Sequence, residues 1–262
     1  MAEARLDAEL VARGLCSGRE RARAEIEAGH VTVNGRPASK PSQKVAESDV
    51  IELSEAFDYV SRGAKKLLGA LEAFHISPEG LVCLDCGAST GGFTEVLLRH
   101  GARKVYAVDV GHGQLAEKLK RDPCVVNMEG TNVRSLALSS FDPAPELITA
   151  DLSFISLALV LPVLRGLLGE SGRVVCLVKP QFEAGRGKVG KKGVVRDPAV
   201  HEEVLRGFVS NAEASGFAVL GLEVSPLRGP EGNIEFLAYL GASGSSAALD
   251  ITGLVSRARR SE

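Results

Sequence analysis

Hydrophobic and polar positions change period along the chain, and each change marks an element. Leu6, Leu10 and Val11 recur at helical spacing and stop at Gly14. Ser17, with Glu20 three residues on, reads as the capped start of a second helix that ends at Gly29. A short alternating strand, His30–Asn34, runs into Asn34-Gly35, a tight-turn signal, and a strand over 50–53 closes this first unit. From Tyr59 onward, apolar runs of strand length alternate with amphipathic stretches of helix length. Strands are expected near 81–86, 104–109, 125–128, 147–151 and 173–179, with helices near 64–74, 92–100, 114–121, 157–167 and 198–215. Two final strands, 218–224 and 234–240, have no helix between them and read as an antiparallel hairpin. Strand–helix alternation predicts a parallel sheet covered by helices on both faces. The fold class is therefore α/β, a Rossmann-like sheet of seven strands behind a small N-terminal α+β domain. The expected organisation is a first domain over 1–54, a linker over 55–60 and a main domain over 61–242. A flexible basic tail over 243–262 follows, with Ser243-Gly244-Ser245-Ser246 as spacer before Arg257, Arg259 and Arg260.

Composition changes this picture little. At 262 residues, 45% apolar and 24% charged, the chain is an ordinary globular sequence with room for one medium domain and a small one. A net charge of −2 carries no global nucleic-acid signal, so any such argument rests on local patches. Five cysteines make no disulfide framework, and the pair Cys83 and Cys86 lies on a strand, where core packing is the expected role. The N-terminal residues lack an apolar signal core. The longest apolar run, 154–168, is broken by Pro162 and Arg165 and falls short of the ~18–20 residues that span a bilayer. A cytoplasmic protein without a membrane association is expected.

Candidate chemistry begins at the end of the first long strand. Asp85-Cys86-Gly87-Ala88-Ser89-Thr90-Gly91-Gly92-Phe93 leads from strand to helix through small residues, which expose backbone N–H groups to a ligand. The spacing is D-x-G-x-x-x-G-G, not the dinucleotide fingerprint G-x-G-x-x-G, so the ligand expected is a nucleoside without an obvious pyrophosphate, and S-adenosylmethionine suits it. Ligands of doubly wound sheets bind outside the carboxyl ends of the strands. Asp109 ends the second strand near the ~20-residue offset at which an acid meets ribose hydroxyls; a helix cap is its alternative. Thr131 and Asn132, after the third strand, are candidates for the adenine edge or for a plain turn. Asp151 and Lys179 end the fourth and fifth strands, and Lys66 and Glu235 are distant in sequence but able to converge on the same cleft. No His, Cys and carboxylate spacing suggests a metal.

Basic residues form two groups. Arg19 and Arg23 share a helix face, with Arg5 and Lys40 able to extend it, although interleaved glutamates also fit a solvated face. Arg186, Lys188, Lys191, Lys192 and Arg196 lie on a glycine-rich loop after Lys179, where contact with RNA phosphates competes with a solvated loop.

The pattern L-D-x-x-L, then S-G-R-x-x-A-x-x-x-I-x-x-G-x-V-x-V-N-G, resembles the small RNA-binding domain of ribosomal protein S-four over about residues 3–54. That resemblance implies RNA binding through the arginine-bearing helix. The main domain resembles the FtsJ-type ribose 2′-O-methyltransferases, whose catalytic set is Lys-Asp-Lys-Glu. By motif the set falls on Lys66 in R-G-A-K-K-L, Asp151 in A-D-L-S-F-I-S, Lys179 in V-K-P-Q-F-E and Glu235 in G-N-I-E-F. Lys65 competes for the first role; Lys66 is preferred because it directly precedes Leu67-Leu68. With Tyr59-Val60-Ser61-Arg62-Gly63 at the domain junction, the whole chain resembles the TlyA, or hemolysin A, family of rRNA 2′-O-methyltransferases acting on cytidine. Cys86 departs from that pattern, where another small residue is expected.

The resemblance implies S-adenosylmethionine as cofactor, bound by Asp85, Gly87 to Phe93, Asp109, Thr131, Asn132 and Asp151. It implies ribosomal RNA or ribosomal subunits as partner, held by Arg5, Arg19, Arg23, Lys40, Arg62, Lys188, Lys191 and Lys192. No stable protein partner is expected. A ribose hydroxyl is a poor nucleophile, so the residues must align an in-line displacement and help a proton leave. Lys179, held by Asp151, would stabilise the developing alkoxide. A non-catalytic RNA-binding assembly factor and a membrane-active hemolysin are the competing classes. Four intact catalytic candidates oppose the first, and the missing signal and span oppose the second.

Overall fold

Leu6, Leu10, Ile26, Val31 and Val45 are almost fully buried and draw the first sixty residues around a core of their own. The computed structural model describes residues 3–27, 29–38, 40–53, 59–190, 193–229 and 231–260, and it divides into two units, Met1–Asp58 and Tyr59–Glu262. The first contains β1 (Glu3–Arg5), α1 (Leu6–Ala12), α2 (Arg19–Glu27), β2 (Val31–Val33), β3 (Arg36–Pro37), β4 (Lys44–Ala46) and β5 (Ile51–Leu53). Asn34 and Gly35 both take positive φ (52° and 73°), the conformation of the tight hairpin turn that joins β2 to β3. Strand β4 pairs with β1 and was not visible as a separate strand in the sequence pattern.

The second unit contains α3 (Ala64–Ala73), β6 (Val82–Cys86), α4 (Gly92–Arg99), β7 (Lys104–Asp109), α5 (Glu117–Lys120), β8 (Val125–Glu129) and β9 (Leu147–Ala150). It continues with α6 (Leu161–Gly166), β10 (Arg173–Val178), α7 (Pro180–Glu183), α8 (Pro198–Ala214), β11 (Ala218–Val224), β12 (Phe236–Gly241) and α9 (Ile251–Arg260). Among the described residues its strands form one seven-stranded sheet in the order β11-β12-β10-β9-β6-β7-β8. All neighbours are parallel except those of β12, which runs against both β10 and β11. From β6 the chain builds outward to β7 and β8, then returns to place β9 on β6's other side. Their carboxyl ends are thus the switch point at which a doubly wound sheet opens a crevice.

Four expectations change. The last residues are not a flexible tail: Ile251, Leu254, Val255 and Ala258 fall on one face of α9 and are buried in the main core. Burying that stripe outweighs the entropy of the Ser/Gly spacer before it. Tyr59 and Val60 belong to the second unit rather than to a linker, because the Val60 N–H donates to Glu95 (2.7 Å) and the Arg99 guanidinium lies 4.4 Å from the Tyr59 ring centre. The rest of the expected linker, 54–58, lies outside the described residues. The helix expected over 157–167 breaks into a 3₁₀ turn, Leu157–Leu159, and α6, because Pro162 lacks an N–H and suits only a helix start. Helix α5 is shorter than expected and starts only at Glu117; the Glu129 carboxylate accepts the N–H groups of Gln114 (2.5 Å) and Leu115 (3.0 Å) in the turn before it.

All five cysteines are free thiols. Cys83, Cys86 and Cys176 lie inside strands, and burial raises each thiol, that of Cys83 to about 12.

Candidate active site

A cavity of about 500 Å³ opens at the switch point. Gly87 after β6, Asp109 at the end of β7, Thr131 and Asn132 after β8, and Asp151 to Ile155 after β9 line it. Gly87 has φ of 85°, and a Cβ there would stand 2.6 Å from the Asp151 carbonyl oxygen, so only glycine lets β6 and β9 close up beneath the cavity. Ser89, also at positive φ (49°), donates its N–H to Asp109 (2.8 Å) and its hydroxyl to Gln114 (3.2 Å). The other Asp109 oxygen accepts the Gly111 N–H (2.7 Å). Asp109 therefore pins the turn after β6, and each of its oxygens keeps a second lone pair for a ligand.

Several sequence-selected cofactor residues lie elsewhere. Asp85 is fully buried beneath the turn and does not line the cavity. Its carboxylate accepts the hydroxyls of Thr94 (2.7 Å) and Thr149 (3.1 Å), tying α4 to β9, and burial pushes it up to about 6. Ala88 packs with Ala107, Leu115 and Leu119. Gly91 and Gly92 are packing positions too, since a Cβ would collide with Leu119 or with the Ser61 hydroxyl. Phe93 is buried and Thr90 is exposed, neither on the cavity wall. Asn132 lines the cavity while its side-chain oxygen caps the Val133–Ser135 turn through the Arg134 N–H (3.0 Å), so it is a turn residue on the cavity wall. Lining residues that the sequence did not single out are Gln114, Leu152, Ser153, Phe154 and Ile155. The signal for them is their place in the loops that follow Asp109 and Asp151 at the carboxyl ends of the strands.

At the edge of this cavity four charged side chains meet. Lys179 directly follows β10, where Pro180 starts α7 and turns the chain. Its Nζ lies 2.6 Å from Asp151 Oδ1 and donates to Ser153 Oγ (3.0 Å). Lys66, on α3, has its Nζ 3.6 Å from Asp151 Oδ2 and donates to Glu235 Oε2 at 2.6 Å. Glu235 is 2% exposed, Lys66 8% and Lys179 7%, so two cations and two anions balance inside low-dielectric surroundings. Lys65, the rival for the first position, is exposed while Lys66 is buried in the cluster. Glu183 braces the neighbouring loop by accepting from Ser156 Oγ (2.6 Å) and the Leu157 N–H (2.8 Å). Phe154 stands out at the mouth. It is 91% exposed, at a φ of 63°, with its ring centre 5.2 Å from that of Phe182.

The basic candidates fall in different settings. In the first unit Arg5, Arg19 and Arg23 all reach the buried Asp7 carboxylate, at 3.0, 3.1 and 3.3 Å. The hydrogen bond from Arg5 holds Asp7 well below the usual carboxylate range, with Arg19 and Arg23 assisting against burial. Three guanidinium groups are thereby gathered on one acid, each still about half exposed. Lys40 is exposed on the adjoining turn, whose Pro41 carbonyl accepts the Asp7 N–H (3.1 Å). Arg62 is exposed just before α3. Lys188 is paired with Glu203 of α8, while Lys191 and Lys192 lie outside the described residues. Asn233 clamps this loop beside Glu235: its side chain accepts from the Val195 N–H (2.9 Å) and donates to the Gly193 carbonyl (2.8 Å).

A doubly wound sheet with one reversed strand, carrying a nucleoside-sized cavity between the turn after its first strand and an acid after its second, is the fold of the S-adenosylmethionine-dependent methyltransferases. The family model for FtsJ-like methyltransferases matches residues 59–242, and that for the S4 domain matches residues 4–51. The chain is 49% identical over 255 residues to the 16S/23S rRNA (cytidine-2′-O)-methyltransferase TlyA of Mycobacterium tuberculosis, covering 96% of this chain and 94% of that protein. It is 43% identical over 236 residues to hemolysin A of Brachyspira hyodysenteriae, covering 90% and 98%. A solved structure of a protein described as a candidate hemolysin, from Streptococcus thermophilus, matches with a TM-score of 0.79 at 43% identity, covering 99% of this chain and 97% of that one. The chain belongs to the TlyA, or hemolysin A, family of FtsJ-like methyltransferases.

Proposed function

We propose that the protein methylates the 2′-hydroxyl of a cytidine ribose in ribosomal RNA, with S-adenosylmethionine as donor. The observation that carries the reading is the cluster of Lys66, Asp151, Lys179 and Glu235, which shares Asp151 with the wall of a nucleoside-sized cavity. The donor set suits the cofactor: Asp109 offers carboxylate lone pairs to a ribose diol, Thr131 and Asn132 offer polar edges, and Val108, Val110 and Val133 give apolar wall. When bound, the cofactor supplies a methyl sulfonium, already an activated electrophile.

What the protein adds is position and charge. Lys179, fixed by Asp151 and Ser153, presents its ammonium to an acceptor hydroxyl and stabilises the negative charge that grows on that oxygen as its proton passes to solvent water. Asp151 bridges both lysines, and Glu235 anchors Lys66 from the far side, so the array is held before substrate arrives. Removing one member of a buried pair strands the other charge at a cost of about 3–5 kcal/mol, so every substitution here needs a stability control. Three arginines gathered on Asp7 give the first unit a cationic surface for the RNA, in keeping with its S4-like sequence. A ribosomal substrate accords with work in the cytoplasm; among the described residues no helix is long and apolar enough to cross a membrane.

Transfer of labelled methyl groups to ribosomal subunits that lack the modification tests the reading. Wild-type protein should label rRNA at a cytidine 2′-oxygen. Lys179→Ala should lower the rate at least ~100-fold, as loss of a charge-stabilising group does, and bind the RNA as before. Undiminished labelling by Lys179→Ala would refute the mechanism, and an unlabelled RNA with wild-type protein would refute the activity.

A further inference from the structure

A second cavity, of about 390 Å³, lies between the loops that precede α8 and β12 and the last turn of α9. Sheet topology fixes its place. Helix α8 follows β10 and so begins at the carboxyl edge. Strand β12 starts at that edge and runs away from it, and α9 returns from the opposite edge to end there. The Arg257–Glu223 pair (3.3 Å), which joins α9 to the carboxyl end of β11, agrees. The cavity thus shares an edge with the charged cluster, and the run from Asn233 to Phe236 joins them: Ile234 lines the cavity, and Glu235 belongs to the cluster.

Three arginines line this space, Arg196, Arg228 and Arg259, against one acid, Glu231. They come from three separate elements, so no local helix periodicity explains their meeting. Arg228 donates to the Gly232 carbonyl (3.4 Å), which holds its loop closed. His201, a lining residue only 1% exposed, sets its ring edge-on to Phe236 with centres 5.9 Å apart. Arginines brought to one hollow from three elements suit a tetrahedral oxyanion, whose oxygens accept from several sides.

The geometry points to a phosphate site: the pocket of Arg196, Arg228 and Arg259 grips one backbone phosphate of the RNA strand that carries the target ribose. This rests on the reading of the protein as an RNA ribose methyltransferase. It assigns α9 a direct part in substrate binding, which neither the turn after β6 nor the arginines of the first unit provide. A phosphodiester held at the cluster's own edge fixes the register of the strand, and hence which ribose reaches Lys179.

Arg259→Gln, the triple change of Arg196, Arg228 and Arg259 to Gln, and the charge-keeping Arg228→Lys test it in the full chain. Binding to rRNA is measured against salt, alongside methyl transfer and S-adenosylmethionine affinity. Losing one phosphate contact should reduce the salt slope by about one and weaken RNA binding roughly five-fold at ~0.15 M salt. KM for RNA should rise with kcat and cofactor affinity unchanged. Arg259→Gln, on an exposed helix end, should show part of this loss even if the triple variant folds poorly, and Arg228→Lys should keep the slope. A wild-type salt slope in folded Arg259→Gln and triple variants overturns the assignment. So does a variant that loses binding of inorganic phosphate alone while keeping the RNA slope, since the pocket then serves a free anion. Neither result touches the activity itself, which fails only if wild-type protein leaves rRNA unmethylated.

Discussion

Asp85 sits between the hydroxyls of Thr94 and Thr149 with no exposed surface, and burial pushes its carboxyl up from 3.8 to about 6. Below about pH 4 folded and unfolded chains both hold this proton. Between about 4 and 6 the unfolded chain gives it up first, so the group's favourable contribution drains away as pH rises and is gone once pH passes the folded value. The shift corresponds to a span on the order of 3 kcal/mol. Asp85→Asn should therefore flatten the fall in stability across that window, and urea midpoints of both proteins from pH 4 to 7 read it directly. Parallel curves would show that Asp85 does not titrate there. Asp7 has the opposite sign: arginine hydrogen bonds lower it, so its contribution is present above the ordinary carboxylate range and lost on acidification. Neither aspartate's burial was legible in the sequence. An acid at a strand end looks like a ligand group, and only the third dimension shows that two threonines from α4 and β9 enclose it.

Among the elements, α9 departs most from the sequence pattern. Its stripe of Ile251, Leu254, Val255 and Ala258 has helical spacing, but Ser243 to Ser246 before it and three arginines within it resemble a solvated tail. The arginines instead occupy the polar face of a docked helix, packed against α8 and β11. Leu254→Ala should cost about 2–5 kcal/mol, as for a leucine 2% exposed in a core, and the drop in thermal midpoint measures it. A cost near zero would mean that the helix is not part of the folding unit. The strands of the large sheet were legible almost to the residue, because fully buried parallel strands announce themselves as short apolar runs between turn signals. Helix ends fared worse, as at α5, which begins at Glu117 after a turn whose N–H groups bond the distant Glu129.

At the scale of the molecule the two units divide the labour, one carrying gathered arginines and the other the cavity and charged cluster. Changing Arg19 and Arg23 together to Gln should reduce the RNA salt slope by roughly one to two. S-adenosylmethionine affinity should stay as it was, and calorimetry with cofactor alone checks it; a matching loss there would mean the units are not separable in function. The meeting of Lys66 with Glu235, 169 residues apart, was legible only through resemblance to a known motif set, since no period or spacing connects such positions. The basic pocket on α9 was not legible at all, because its arginines come from three elements. One feature of the sheet bears on what the molecule must avoid. Cys86 directly precedes the lining residue Gly87, and a thiolate facing the cavity would be the softest nucleophile open to an alkylating methyl donor. Burial raises its thiol well above the ordinary range, and it lies in the core beside Val108 and Ala150, its register partners on β7 and β9. The sulfur is thereby kept off the cavity wall, away from any methyl donor bound there.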